Sequence, residues 1–290
     1  TNMVPMVVDV AQGSLVSWGS NEDFGGNAAG QVTDTPTGND FIQVAAGQYY
    51  SVALRADGSL VSWGDDWVSQ VTDTPVGNDF TQVAAGWHHS AALRADGSLV
   101  SWGADWALQV TDTPTGNDFI QVAAGQSHSV ALRADGSLVS WGADNLDQVA
   151  DTPVGHNFTQ VSAGYHWSIG LRADGSLVSW GFNYYHQIWN TPSGNNFAQA
   201  SAGYKHSVAL HADGSLVSWG LDYDNQVTDT PTGNNFTLIA VGSHHSIALR
   251  ADGSLVSWGS DSDLQVTDTP TTNDFTQVAA GNSHSVAIRF

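Results

Sequence analysis

The chain has 290 residues, with seven basic side chains against 28 acidic ones, a formal net charge of −21 and no cysteine. So acidic a surface repels nucleic acid and anionic lipid, and without cysteine there are neither disulfides nor thiolate metal sites. No run of about 18 apolar residues is present to insert into a membrane.

Residues 1–12 come first and stand outside any pattern. Their "MVVDV" competes for a strand position that the repeat fills elsewhere, so they are read as an N-terminal extension. Next comes "GSLVSWG", ending one residue after Trp18, and then an insert, "SNEDFGGNAAG". From residue 41 a unit begins that recurs to the end of the chain. Trp63, Trp102, Trp141, Trp180, Trp219 and Trp258 are spaced 39 residues apart, and Trp18 precedes Trp63 by 45. A period near 40 marks a solenoid or a propeller.

Each unit reads as four short strands. In the first copy they are "FIQVAAG" (41–47), "SVALR" (51–55), "SLVSWG" (59–64) and a weaker "QVTDTP" (70–75). The Asp-Gly pair of "ADGS" suits a tight hairpin between the second and third, and the proline of the fourth suits a sheet edge. Nothing has helical period. Seven such units predict an all-β, seven-bladed β-propeller with four antiparallel strands per blade. The Ala-Ala-Gly ending of the first strand fits the crowded axis. The last copy of the first two strands ends at Phe290, and the first copy of the third strand lies at 14–19. The two termini therefore share a closing blade, 275–290 plus 13–40, and 13–290 form one domain without an open sheet edge.

The repeated string "QVAAGxxHSVALRADGSLVSWG" resembles the repeat of the regulator of chromosome condensation family. The resemblance covers essentially the whole chain, and it implies a seven-bladed propeller with this kind of split closing blade. Members of that family include a nucleotide exchange factor for a small GTPase, a plant UV-B receptor and a secreted bacterial β-lactamase inhibitor protein. The resemblance therefore implies the fold more narrowly than the function.

Two windows differ between copies. One follows the first-strand glycine ("QYY", "WHH", "YHW", "YKH"), and the other follows Trp-Gly ("DDWVS", "ADWAL", "FNYYH", "LDYDN"). Strand direction alternates, so both windows emerge at one end of the disc and the constant turns at the other. The candidate partner-binding residues are Tyr49, Tyr50, Trp87, His88, Tyr165, His166, Trp167 and Tyr204 from the first window. Asp65, Asp66, Trp67, Asp105, Trp106, Phe182, Tyr184, Tyr185 and Tyr223 come from the second. Aromatic side chains with few rotamers are what protein-binding surfaces favour. The loop layout is most similar to that of the β-lactamase inhibitor protein. That resemblance implies contact roles for Tyr49, Trp87, Tyr165 and Tyr204, and for Asp65, Asp66, Trp67, Asp105 and Trp106.

Catalytic and metal chemistry find little to build on. His89, His128, His206, His245 and His284 recur at one position, where Tyr50 and Trp167 stand in the other two copies. They are read as buried rings bonding backbone between blades. The serine after each points the opposite way along its strand, so the pair is not a dyad. His88, His166 and His244 come from alternate blades and would be far apart for one metal unless near the axis. "DYD" and "DSD" lack the glycine and distal glutamate of a calcium loop.

The sequence thus predicts a non-enzymatic binding protein, with no cofactor or metal, extracellular or at the cell surface. It would show one aromatic, acidic face to a protein partner with a basic or mixed surface. It would be a monomer unless part of a larger assembly. Inhibition of a secreted enzyme, carbohydrate binding and a structural role remain open as alternatives. Nucleic acid and membrane insertion are not expected.

Overall fold

The computed structural model describes residues 12–23, 25–184 and 186–290. Within them, 21 short strands form seven three-stranded antiparallel sheets. In the first complete blade the inner strand is β2 (Phe41–Ala46), the middle strand β3 (Tyr50–Arg55) and the outer strand β4 (Leu60–Gly64). The arrangement repeats as blades 2 to 6 at 80–103, 119–142, 158–181, 197–220 and 236–259. Blade 7 joins β20 (Phe275–Ala280) and β21 (His284–Arg289) to β1 (Ser14–Gly19), with Ser14 opposite Arg289 and Gly19 opposite His284. The closing blade is shared by the two ends of the chain. Residues 1–11, which hold nearly all of the N-terminal extension, lie outside the described residues.

Each blade has three strands, not the four read from the sequence. The "QVTDTP" stretch is a compact turn, because side chains there offer the backbone better partners than a sheet ladder would. In blade 1 the Asp66 carboxylate accepts the amides of Val71 and Thr72, and Thr74 Oγ1 donates to Val71 O. Ser69, just before Gln70, is forced to φ +61°, and Leu108, Asp147, His186, Asn225 and Leu264 follow suit in the later copies. The residue after Trp-Gly and one more supplies the acceptor throughout: Asp105, Asp144, Asn183, Asp222 and Asp261, with Asn21 in the insert.

Apolar contact between blades makes the core. Val52 and Leu54 of blade 1 pack against Phe80, Val83, Ala92 and Trp102 of blade 2, and similar clusters follow around the ring. Polar groups are matched across the same joints. Every repeated indole donates to the carbonyl of the glutamine in the preceding turn, as in Trp63 to Gln31 at 3.0 Å and Trp102 to Gln70 at 3.0 Å. Closing the ring, Trp18 donates to Gln265 at 3.1 Å. Gln43 pairs with both backbone groups of Val83 in the next blade, at 3.2 and 2.9 Å. Gln82 does the same to Val122, and Gln121 to Val161. These amides pair with backbone groups of the innermost sheet edge, which no further strand covers.

The recurring histidines differ from expectation in their partner. Nε2 of His89 meets the Ser129 hydroxyl of the next blade at 2.8 Å, and His128, His206, His245 and His284 meet Ser168, Ser246, Ser285 and Ser51 likewise. The repeated serine is the neighbour's half of the joint. In blade 4, Trp167 replaces the histidine, and neither its indole N–H nor the Ser207 hydroxyl has a partner there. At the axis, Gly47, Gly86, Gly125, Gly164, Gly203, Gly242 and Gly281 form a closed ring. A Cβ on any of them would stand well inside 3.0 Å of the carbonyl oxygen of the next glycine.

Three outcomes test this account. Gly242→Ala should destabilise the propeller by roughly 2 kcal/mol or more, because the obstruction is backbone that cannot rotate away; an unchanged denaturant midpoint contradicts it. Asp66→Asn should melt close to the parent, since Asn183 already does this job in blade 4, whereas Asp66→Ala should lose about 1 kcal/mol.

The third concerns pH. Burial pushes His128, His206 and His245 down to about 3, and His89 and His284 to about 4. These rings stay neutral in the fold but take up protons in the unfolded chain near pH 6.5. Their contribution is complete above that value and is lost as pH falls from about 6.5 to about 3. A urea midpoint that is flat between pH 7 and 5 contradicts their neutral burial.

Candidate partner-binding face

Both variable windows lie at the same end of every blade and are hydrogen-bonded to each other. Asp65 N–H donates to Tyr49 O, Ala104 to His88, Phe182 to His166, Leu221 to Lys205 and Ser260 to His244. The constant turns meet at the other end, where Ala56 N–H donates to Asp40 O and Phe80 N–H to Gly58 O.

The middle of the variable end is an aromatic cap. Trp87, Tyr165 and Tyr204 come from blades 2, 4 and 5. Their ring centroids lie 4.4 Å (Trp87–Tyr165), 5.4 Å (Trp87–Tyr204) and 4.1 Å (Tyr165–Tyr204) apart. Together with the seven axial glycines they line a cavity of about 70 Å³. The glycine ring leaves no side chain on the axis, so these three rings fill its mouth.

Two arms extend from the cap. On one side, His88 lies 6.2 Å from Trp87 and meets Trp106 at 5.3 Å and Trp67 at 6.3 Å. On the other, His166 lies 4.0 Å from Tyr165 and meets Phe182 at 5.9 Å, and Phe182 stacks on Tyr184 with planes 7° apart. His244 adds an edge contact to Tyr204 at 5.6 Å. The face histidines are held neutral by desolvation, His166 at about 4 and His88 and His244 below their ordinary value. Tyr49 sits apart from the cap. Burial pushes its phenol up, and the carboxylates of Asp23, Asp263 and Asp65 add to the effect. Tyr223 is exposed on the outer loop of blade 5. Tyr185 lies outside the described residues.

Two candidates are not surface residues. Tyr50 and Trp167 are fully buried. They occupy the histidine position of the blade joint, which the middle strand turns inward. Tyr50 donates to His89 O at 2.7 Å and meets Ser90 Oγ at 2.9 Å. Asp66 and Asp105 are at the surface, but their carboxylates already hold the turns described above, so their first role is in the fold. The sequence reading also passed over Trp189, which is exposed and packs on His186 at 5.2 Å. Comparison of the copies could have found it, because it stands where Thr72 and Thr111 stand in other blades.

The charges are divided between the ends. Six of the seven basic residues are arginines at the end of a middle strand, the position of Arg55, and so lie at the constant end. There Arg55, Arg94 and Arg133 lie over Phe41, Phe80 and Phe119 and pair with Asp40, Asp79 and Asp118. The variable end carries the only lysine, Lys205, whose Nζ lies 4.4 Å above the Tyr204 ring. The loops of the same end carry Asp65, Asp66, Asp105, Asp222, Asp224, Asp261 and Asp263. Among the described residues, no group of three or more His, Asp or Glu side chains gathers as a metal site would require.

Known proteins place this architecture. The regulator of chromosome condensation (RCC1) repeat matches residues 41–66, 80–105, 119–148, 158–187, 197–226 and 236–265, more than half of the chain. No curated protein matches it by sequence. Among solved structures, Prp20p from Saccharomyces cerevisiae superposes with a TM-score of 0.77 at 20% identity, over 97% of this chain and 92% of its own. Human WBSCR16 does so with a TM-score of 0.75 at 18% identity, over 96% and 98%. The ectodomain of the Physcomitrella patens receptor kinase CR4 gives 0.70 at 21%, over 86% and 74%. Likeness at such identities concerns the fold alone, whereas the six matched repeats show that this chain belongs to the regulator of chromosome condensation (RCC1) repeat family.

Proposed function

We propose that this is a non-enzymatic protein-binding propeller that docks its partner on the variable, aromatic and acidic end. The observation that carries the reading is the convergence of Trp87, Tyr165 and Tyr204 on the axis, flanked by aromatic arms from blades 1, 2 and 4. Rings contributed by separate blades form one contiguous surface, which a soluble protein rarely leaves uncovered. Large, stiff side chains at the centre of such a surface are where binding energy concentrates. The carboxylates around them favour a partner with basic or mixed charge and speed its approach. Use of the same fold for protein contacts supports the reading, since Prp20p is described with Gsp1p and histones and has been seen bound to Kap60.

The test is affinity capture from the native medium and extract by the parent and by the triple variant Trp87→Ala, Trp106→Ala, Tyr165→Ala. The parent should retain a specific protein, and the variant should lose it while melting within a few degrees of the parent. The proposal fails if the variant retains the same protein equally well. It also fails if a constant-end change such as Asp96→Ala abolishes capture, or if only glycans on an array are bound.

A further inference from the structure

The arm formed by Trp67, His88 and Trp106 sets two exposed indoles against each other and against an imidazole. Trp67 is 75% exposed and Trp106 is 55% exposed, although they pack together with centroids 6.1 Å apart. The three rings stand steeply to one another, at 48° between the indoles, 74° between Trp67 and His88, and 67° between His88 and Trp106. They form a three-sided aromatic corner. Rings with negative π faces inclined in this way attract an organic cation that lies against them.

Carboxylates flank the corner: Asp65 acts on His88, and two more stand next to the indoles in the chain. Asp66 immediately precedes Trp67, and Asp105 immediately precedes Trp106. Burial by itself would raise both carboxyls. The hydrogen bonds from Thr72 and Val71, and from Thr111 and Val110, outweigh it and hold them below the ordinary carboxylate value. These anions are held by the turns and stay charged at neutral pH. Asp65 is a third, fixed by the Gln70 amide at 2.9 Å. His88 is kept neutral by desolvation, so its ring is an aromatic wall and not a competing cation.

The chain's own arginines are all at the opposite end. The face already shows the contact in miniature, since Lys205 lies over Tyr204. Of the two biological side-chain cations, arginine fits the corner better. Its planar, weakly hydrated guanidinium stacks on indole while its N–H groups fork onto a carboxylate, and an ammonium at so exposed a place stays hydrated.

We propose that the Trp67–His88–Trp106 corner receives an arginine side chain projecting from the protein partner, stacked on the indoles and neutralised by Asp65, Asp66 and Asp105. This rests on the docking-face reading above and specifies what the partner inserts.

The experiment uses three labelled peptides of alternating glycine with arginine, lysine or citrulline, titrated by fluorescence anisotropy into the whole protein. The arginine peptide should bind about fivefold tighter than the lysine peptide, and the neutral citrulline peptide should not bind. Trp67→Ala with Trp106→Ala leaves every charge in place and should weaken the arginine peptide about tenfold. The double Phe variant should recover part of the loss, and Trp189→Ala should match the parent.

Equal binding by the double Ala variant would mean general attraction to an acidic surface and would overturn the proposal. Lysine binding as tight as arginine, or retention of citrulline, would overturn it too. If the arginine peptide fails while Trp87→Ala still abolishes capture of the partner, the corner assignment falls and the docking face stands.

Discussion

At the axis of the propeller, the carbonyl oxygen of each inner-strand glycine occupies the place where a methyl group on the preceding glycine would have to go. The contact passes from blade to blade seven times and returns to its start. Backbones this close exclude side chains from the centre. The inner strand must therefore satisfy its free edge by other means, and the glutamine of the neighbouring blade supplies both a donor and an acceptor. A little farther out, as where Gln82 clasps Val122, the His89–Ser129 bond and the Trp141 indole on Gln109 O fix the same two blades to each other. Small residues at the centre and polar clasps outside them are consequences of one spacing. A sheet edge that would otherwise invite association is thereby closed off.

The joints also explain where the repeat departs from itself without leaving the core. Trp167 gives up the serine bond and fills its position by bulk, buried to the last atom. In the same strand Gly170 stands where other blades have alanine. An added Cβ there would run into the Phe158 ring. Tyr50 keeps the joint by a different donor, reaching both His89 O and Ser90 Oγ. These exchanges compensate locally, within one blade or one joint, and the ring tolerates them because its other joints are unchanged.

Charge is separated between the two ends of the disc. At the constant end Arg55, Arg94, Arg133, Arg172 and Arg250 lie over a phenylalanine, and in four blades the arginine pairs with the aspartate before that position. At the variable end, carboxylates surround aromatic rings with a single lysine among them. Negative charge and exposed rings therefore share one end. The same aspartates that fold the outer turns supply it, because a carboxylate held by amide donors keeps its charge.

Much of this was legible in the residues themselves. The spacing of Trp63, Trp102 and their successors determined the blade count. The interrupted unit at the two ends determined the closing blade. Alternating strand direction determined that both variable windows share an end. The sequence did not decide which members of those windows reach solvent. Tyr49 and Tyr50 are neighbours in one variable string, yet only Tyr50 fills a joint, because inside and outside are set by the side on which the next blade packs. The outer segment read as a strand from "QVTDTP", and the Asp66 carboxylate, five residues before Val71, decided for a turn. The sequence by itself determined the ring and its two unlike ends, since a strict repeat leaves one way to pack. Only the tertiary structure decided that Trp87, Tyr165 and Tyr204 meet, because residues of separate blades are brought together by closure about an axis that no local pattern encodes.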